Sequence, residues 1–94
     1  MKKYTKTYMK HFDYVLDDFI GCEVCGNRAV DIHHIVPRGG GFKEILGVND
    51  FVNNIQNLVA LCRGCHIKAE QSREFNKEVK KIHLKNLEDF KNRK

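Results

Sequence analysis

Two cysteine pairs, Cys22-Glu23-Val24-Cys25 and Cys62-Arg63-Gly64-Cys65, have the spacing of metal ligands. A CxxC turn offers two sulfurs at a bite that suits tetrahedral zinc, and two such turns complete a four-thiolate set. A closed set of this kind leaves the ion no open position, so its role is folding rather than catalysis. Residues 26–61 separate the pairs, a longer span than the usual zinc ribbon, so the clasp joins the ends of a substantial insertion. That insertion contains Asp31-Ile32-His33-His34-Ile35-Val36-Pro37, and the second pair runs directly into His66. The clasp already has its four ligands, so His33, His34 and His66 point to a second, separate chemistry. His11 and His83 stand apart and read as ordinary surface or core residues.

The elements that must position these groups fit in one small domain, residues 1–94. Chains this short bury little apolar surface and often rely on a metal or a disulfide as a staple. The net charge is +5 and the pI is about 9.1, values that suit a polyanionic partner without specifying one. No apolar run approaches the ~18 residues of a membrane span. The basic start, Met1-Lys2-Lys3-Tyr4-Thr5-Lys6, is not followed by the apolar stretch of a signal peptide. The expected location is cytoplasmic, in a bacterium or an infected host cell. There cysteines stay reduced and CxxC pairs bind metal rather than pairing as disulfides.

Tyr8, Phe12, Val15 or Leu16, and Phe19 recur at helical steps, which predicts an N-terminal helix over about 6–20 with Gly21 as its stop. Residues 22–27 form a knuckle turn, and the β-formers of 29–35 predict a strand. Pro37, Arg38 and the three following glycines end it in a loop. Residues 42–54 lack clean periodicity, though Ile45, Leu46, Val48, Phe51 and Val52 could form a helical turn or cover. A second strand is expected over 55–61, then a helix from Arg63 or Gly64 that carries His66. Phe75, Val79, Ile82, Leu87 and Phe90 predict a C-terminal helix over about 72–92. The order of helix, strand, strand, helix, helix is that of a small α+β fold.

Taken together, Cys22-x-x-Cys25, His33-His34-Ile35-Val36-Pro37 and Asn57-Leu58-Val59-Ala60-Leu61-Cys62-x-x-Cys65-His66 resemble the HNH endonucleases of the ββα-metal (His-Me finger) superfamily. The resemblance covers roughly half the chain and is closest to small standalone, phage-like members. It implies a ββα-metal core over about 22–75, flanked by the two terminal helices. It also implies that His34 is the general base, that Asn57 holds the loop carrying that base, and that His66 is a ligand of a catalytic divalent ion. His33 stands where many members carry aspartate as the other ligand, and histidine there is similar to the colicin-type branch. The ion is thereby left open among Mn²⁺, Mg²⁺, Ni²⁺, Co²⁺ and Zn²⁺, with imidazole suiting Mg²⁺ least.

Phosphodiester hydrolysis needs an activated water, neutralisation of charge at phosphorus and help for the leaving oxygen. A neutral histidine, with an ordinary pKa near ~6.5, can take the water proton at physiological pH. Arg38, Arg63, Lys68 and Arg73 are candidates for gripping flanking phosphates, set against the commoner fate of solvated surface charge. Glu70 follows His66 by one helical turn and is a candidate third ligand or supporting partner, although a solvent-facing glutamate is commoner. Adjacent strand residues point to opposite faces, yet His33 and His34 must both reach one phosphate. Either the backbone departs from regular geometry there, or the rings reach around a strand end. A regular strand with His34 on the face opposite His33 and His66 would make the base assignment fail. Asp31 shares the parity of His33 and is the alternative ligand, with a surface or turn-stabilising carboxylate as its ordinary role.

The expected function is metal-dependent cleavage or nicking of DNA with little sequence selectivity. The competing reading is a non-catalytic zinc module that binds nucleic acid or protein, or an accessory subunit of a phage packaging (terminase) or restriction assembly. The triad His34, Asn57 and His66 favours the nuclease, because a binding module needs none of the three at these positions.

Overall fold

The computed structural model describes residues 2–36 and 54–93. Arg38, the 37–41 loop and the cover expected around Ile45 to Val52 lie outside the described residues. The order is α1 (Lys3–His11), β1 (Asp31–His34), β2 (Leu58–Leu61), α2 (Arg63–Gln71) and α3 (Arg73–Asn92), with a 3-10 turn at Ile55–Asn57 leading into β2. This is the expected small α+β fold, with a two-stranded antiparallel sheet and three helices among the described residues.

The sheet pairs Asp31 with Leu61, Ile32 with Ala60, His33 with Val59 and His34 with Leu58. Every residue of β2 is fully buried, because helices cover both of its faces. Its sequence, Leu58-Val59-Ala60-Leu61, is accordingly apolar throughout rather than alternating. Val59 and Leu61 belong to one core cluster with Cys22, Ile35, Ala69 and Val79. Leu58 and Ala60 belong to the other, with Tyr8 of α1. β1 has β2 on one side and, among the described residues, no strand on the other.

The first helix is shorter than its apolar periodicity predicts. It ends at His11, and the chain closes it with Asp13 in the left-handed region (φ 59°). Tyr14 N–H donates to Met9 C=O (2.8 Å) and Asp13 N–H to Lys10 C=O (3.3 Å), the double bond of a Schellman ending. Aspartate is among the few residues other than glycine that adopt this conformation readily. Val15, Leu16 and Phe19, expected on the helix stripe, are instead exposed. Gly21 is not a helix stop; it bridges to Arg28 at the base of the cysteine knuckle. The expected second strand also begins later, since residues 55–57 form the 3-10 turn, capped by the Asn54 side chain.

α2 and α3 meet at Ser72, whose hydroxyl accepts from Phe75 N–H (3.1 Å) and starts the second helix. α3 lays Val79 and His83 into the core, and His83 is completely buried. Its Nδ1–H donates to Glu23 Oε1 (2.7 Å) and its Nε2–H to Ile55 C=O (2.6 Å). Both partners are acceptors, so the ring satisfies them as a two-donor imidazolium. The Glu23 carboxylate also accepts from Tyr8 hydroxyl (2.7 Å), Asn86 Nδ2 (3.0 Å) and Ala60 N–H (3.2 Å). Burial, followed by the Glu23 charge, pushes the Tyr8 hydroxyl far above its ordinary range, so it remains a donor. Removing one member of a buried charged pair strands the other. His83→Ala should therefore cost about 3–5 kcal/mol in urea unfolding of the zinc-loaded protein. A loss below about 1 kcal/mol would mean that Glu23 finds its partners without the imidazole.

Candidate active site and metal centre

The two knuckles bring the four cysteine sulfurs within 4.8 Å of one another. In the first, Cys22 N–H donates to Asn27 C=O (2.6 Å) and Gly26 N–H to Cys22 C=O (2.9 Å), a turn that Gly26 closes at φ 82°. Glycine suits this position because it has no Cβ to oppose a positive φ. In the second, Cys62 caps α2: its sulfur accepts from Cys65 N–H (3.5 Å) and its carbonyl from His66 N–H (2.9 Å). One residue thus supplies a sulfur and starts the helix that carries His66. Burial raises the Cys22 thiol, but backbone donors from Cys62, Cys25 and Val24 outweigh it and bring the group down to about 7. Burial and the three neighbouring sulfurs push Cys65 strongly upward. Four sulfurs this close cannot all ionise without a cation among them. The donor set fits a structural metal such as zinc.

The histidines divide between the two faces of the sheet. His33 and Asp31 face α2 and α3, where the His33 ring lies 5.0 Å from that of His66. His33 is buried, and its Nε2 lies 2.9 Å from Asn76 Oδ1 on α3. Burial holds the His33 pKa below its ordinary value, opposed by the bond to Asn76. His66, about a quarter exposed, donates from Nδ1 to Asp31 Oδ2 (2.9 Å), and its Nε2 lies 3.2 Å from Glu70 Oε1. Asp31 is thus held by His66, with the Arg63 guanidinium 3.6 Å away. His34 follows strand parity to the opposite face, where its ring meets Tyr4 of α1 edge-on at 4.6 Å. By face, His34 is separated from His33 and His66, the outcome that stands against it as the base. It is, however, the last residue of β1, at a strand end. A single depression of about 860 Å³ wraps that end, bordered by His33, His34, His66, Glu70, Arg73 and Asn76 among others. The two rings meet one space around a strand end, the second of the two arrangements that a pair of adjacent histidines allows.

Asn57, almost fully buried, clamps the chain just past His34. Its Oδ1 accepts from Val36 N–H (2.8 Å) and its Nδ2 donates to Val36 C=O (3.1 Å). Its own carbonyl accepts from Ile35 N–H (3.1 Å). Among the candidate phosphate contacts, Arg73 borders the depression. Lys68 instead rests its ammonium 4.6 Å above the Phe75 ring, while Arg63 approaches Asp31. Among the described residues the cysteines form the one preassembled set of three or more ligand atoms. His33 and His66 form a pair, with Glu70 as a nearby oxygen donor. An imidazole flanked by a carboxylate at each nitrogen fits a cation shared between Nε2 and Glu70.

Sequence reasoning missed Asn76, Glu23 and the buried role of His83. His83 had a visible signal, since it follows Val79 by four residues on the apolar stripe of α3. Asn76 follows the cap Ser72 and precedes Val79 on the same face. Glu23 carried none beyond being a carboxylate inside a CxxC turn.

The model of the HNH endonuclease family matches residues 22–72, more than half of the chain. No curated protein and no solved structure matches it.

Cys65→Ser should lose the cysteine metal and most of the fold, read by metal analysis and far-UV circular dichroism, because metal binding and folding are coupled. A folded, metal-free variant would refute the assignment. In the unfolded chain His33 takes up its proton near ~6.5, whereas the folded group does so only at lower pH. Unfolding therefore binds a proton between those values. The contribution of neutral His33 is complete above ~6.5 and declines as pH falls toward the folded value. Wild type should lose stability relative to His33→Gln over that window, in urea midpoints measured with one equivalent of zinc. A difference constant with pH would mean that His33 titrates alike in both states.

Proposed function

Since the chain belongs to the HNH endonuclease family, we propose that it is a metal-dependent endonuclease hydrolysing DNA phosphodiester bonds with little sequence selectivity. The observation that carries the reading is the single depression around the end of β1, on which His33, His34, His66, Glu70 and Arg73 converge.

In this reading His34 is the general base. It accepts a proton from water as the water oxygen bonds to phosphorus and the bond from phosphorus to the 3′ oxygen breaks. The departing 3′ oxygen takes a proton from solvent, so the products are 5′-phosphate and 3′-hydroxyl ends. The base approaches from the α1 side of the strand end, opposite the metal ligands, so the phosphate is held between them. Asn57 holds the backbone beyond His34 through its paired bonds to Val36, which limits the swing of the base. His33 and His66 would hold the catalytic ion, with Glu70 as an additional oxygen donor. When bound, that ion supplies Lewis-acid neutralisation of the phosphate. Two imidazoles and one carboxylate suit Mn²⁺, Co²⁺, Ni²⁺ or Zn²⁺ better than Mg²⁺. Arg73, at the rim, meets the next phosphate along the strand, and the net charge of +5 favours encounter with a polyanion. The cysteine site takes no part in the chemistry and keeps zinc as its structural ion.

Relaxation of supercoiled plasmid across Mg²⁺, Mn²⁺, Co²⁺, Ni²⁺ and Zn²⁺, with a chelator as control, tests the reading. His34→Ala should keep the fold and the cysteine zinc and lose roughly 10²–10⁴ in rate. His66→Ala should lose the catalytic ion while retaining the cysteine zinc. Full activity in both variants would end this mechanism. No cleavage with any ion, from folded and zinc-loaded wild type, would favour a binding module or a nuclease that needs a partner.

A further inference from the structure

Two side chains beside the histidine pair determine which nitrogen each ring can offer an ion. His66 turns Nδ1 to Asp31 Oδ2 at 2.9 Å. A carboxylate can only accept, so Nδ1 carries the hydrogen, and in the neutral ring Nε2 is the lone-pair nitrogen. Nε2 also faces a carboxylate, Glu70 Oε1 at 3.2 Å. Glu70 is largely exposed and the contact is longer, so Asp31 takes the hydrogen and Glu70 is left to share a cation with Nε2. His33 meets its partner with the other nitrogen: Nε2 lies 2.9 Å from Asn76 Oδ1. The Asn76 amide nitrogen donates to Ile35 C=O (3.0 Å), which fixes the orientation of the amide and leaves Oδ1 as the acceptor. The His33 hydrogen is therefore on Nε2, and Nδ1 carries the lone pair. The two rings, 5.0 Å apart, are held as opposite tautomers.

We propose that Asn76 and Asp31 are positioning residues that set these tautomers, so that the catalytic ion is held through Nδ1 of His33 and Nε2 of His66. The inference rests on the nuclease reading above and describes how that site is preorganised. Bulk water would treat two neutral imidazoles alike, so opposite tautomers in neighbouring rings require local partners. His33 is 7% exposed, which leaves Asn76 rather than solvent to select its form. The Asn76 side chain also ties His33 to the backbone just past His34, because Ile35 C=O is its second partner. Partners of this kind both orient a ligating ring and raise its basicity. Asn76 comes from α3, beyond the residues 22–72 that the family model matches.

Long-range ¹H–¹⁵N correlation spectra of the full chain, loaded with one equivalent of zinc at about pH 8, read the tautomers directly, since that pH lies above the ordinary histidine range. The expected result is an Nε2–H pattern for His33 and an Nδ1–H pattern for His66. Asn76→Leu should mix the tautomers of His33 alone and Asp31→Asn those of His66 alone. Each should weaken Mn²⁺ binding by roughly 10–100-fold in calorimetry. Asp31→Glu, which keeps the acceptor, should restore the His66 pattern and part of the affinity. Equal tautomers in wild type, or folded variants with unchanged patterns and unchanged Mn²⁺ affinity, would overturn the proposal. The wild-type spectrum decides even if a variant fails to fold. Plasmid relaxation without the expected tautomers would sink this inference alone. The expected tautomers and Mn²⁺ affinities without relaxation would sink the nuclease reading and leave the tautomer assignment in place.

Discussion

One buried carboxylate, that of Glu23, ties the first cysteine knuckle to α1, β2 and α3. It sits inside the first cysteine knuckle, yet every group it binds comes from another element. Tyr8 reaches it from α1, the Ala60 amide from β2, and His83 and Asn86 from α3. Through His83 the same network grips Ile55 C=O, two residues before Asn57. A charge buried this deeply is tolerable only when fully partnered, and no buried side-chain nitrogen or oxygen among the described residues lacks a partner. The arrangement penalises any packing of α1, β2 and α3 that leaves the carboxylate short of donors. It therefore specifies one assembly rather than merely adding stability.

From this frame the two chemical sites follow in sequence. The knuckle containing Glu23 lies against β2, which ends at the second knuckle. Cys62 there begins α2 and aims its first turn, with His66, at the face of β1 carrying Asp31 and His33. The short connections leave little freedom: His66 is one residue past a metal-ligand cysteine, and His33 lies opposite the buried Val59. Among the described residues the sheet has two strands, and His34 closes β1. At that strand end residues of opposite parity border one depression.

Much of this was legible in the residues themselves. The paired cysteines announced their cluster through spacing alone, and α2 and α3 lie within a residue or so of where the second knuckle and the apolar stripe put them. What misled was a stripe that continued past its helix. Phe12, Val15 and Phe19 keep helical spacing, but Asp13 takes a left-handed conformation that periodicity does not register. Long-range partnerships were equally hidden. Nothing local marks Glu23 as the companion of His83, sixty residues away, or Asn76 as the companion of His33. Such pairs arise only when α3 docks on the knuckle and on β1. Parity correctly warned that His33 and His34 diverge, and both nonetheless border one depression at the end of β1.

The length of α3 bears on what can be moved between proteins. At 20 residues it spans about 30 Å. Its first turn touches His33 and its middle supplies the counter-ion of the buried carboxylate. The segment recognisable as a family member ends before either contact is made. Excised at its family boundaries for grafting onto another scaffold, the segment would carry its cysteines with His33, His34 and His66, but with a naked carboxylate in its core and a loosened imidazole beside it. The transplantable module is longer than the signature by which it is recognised.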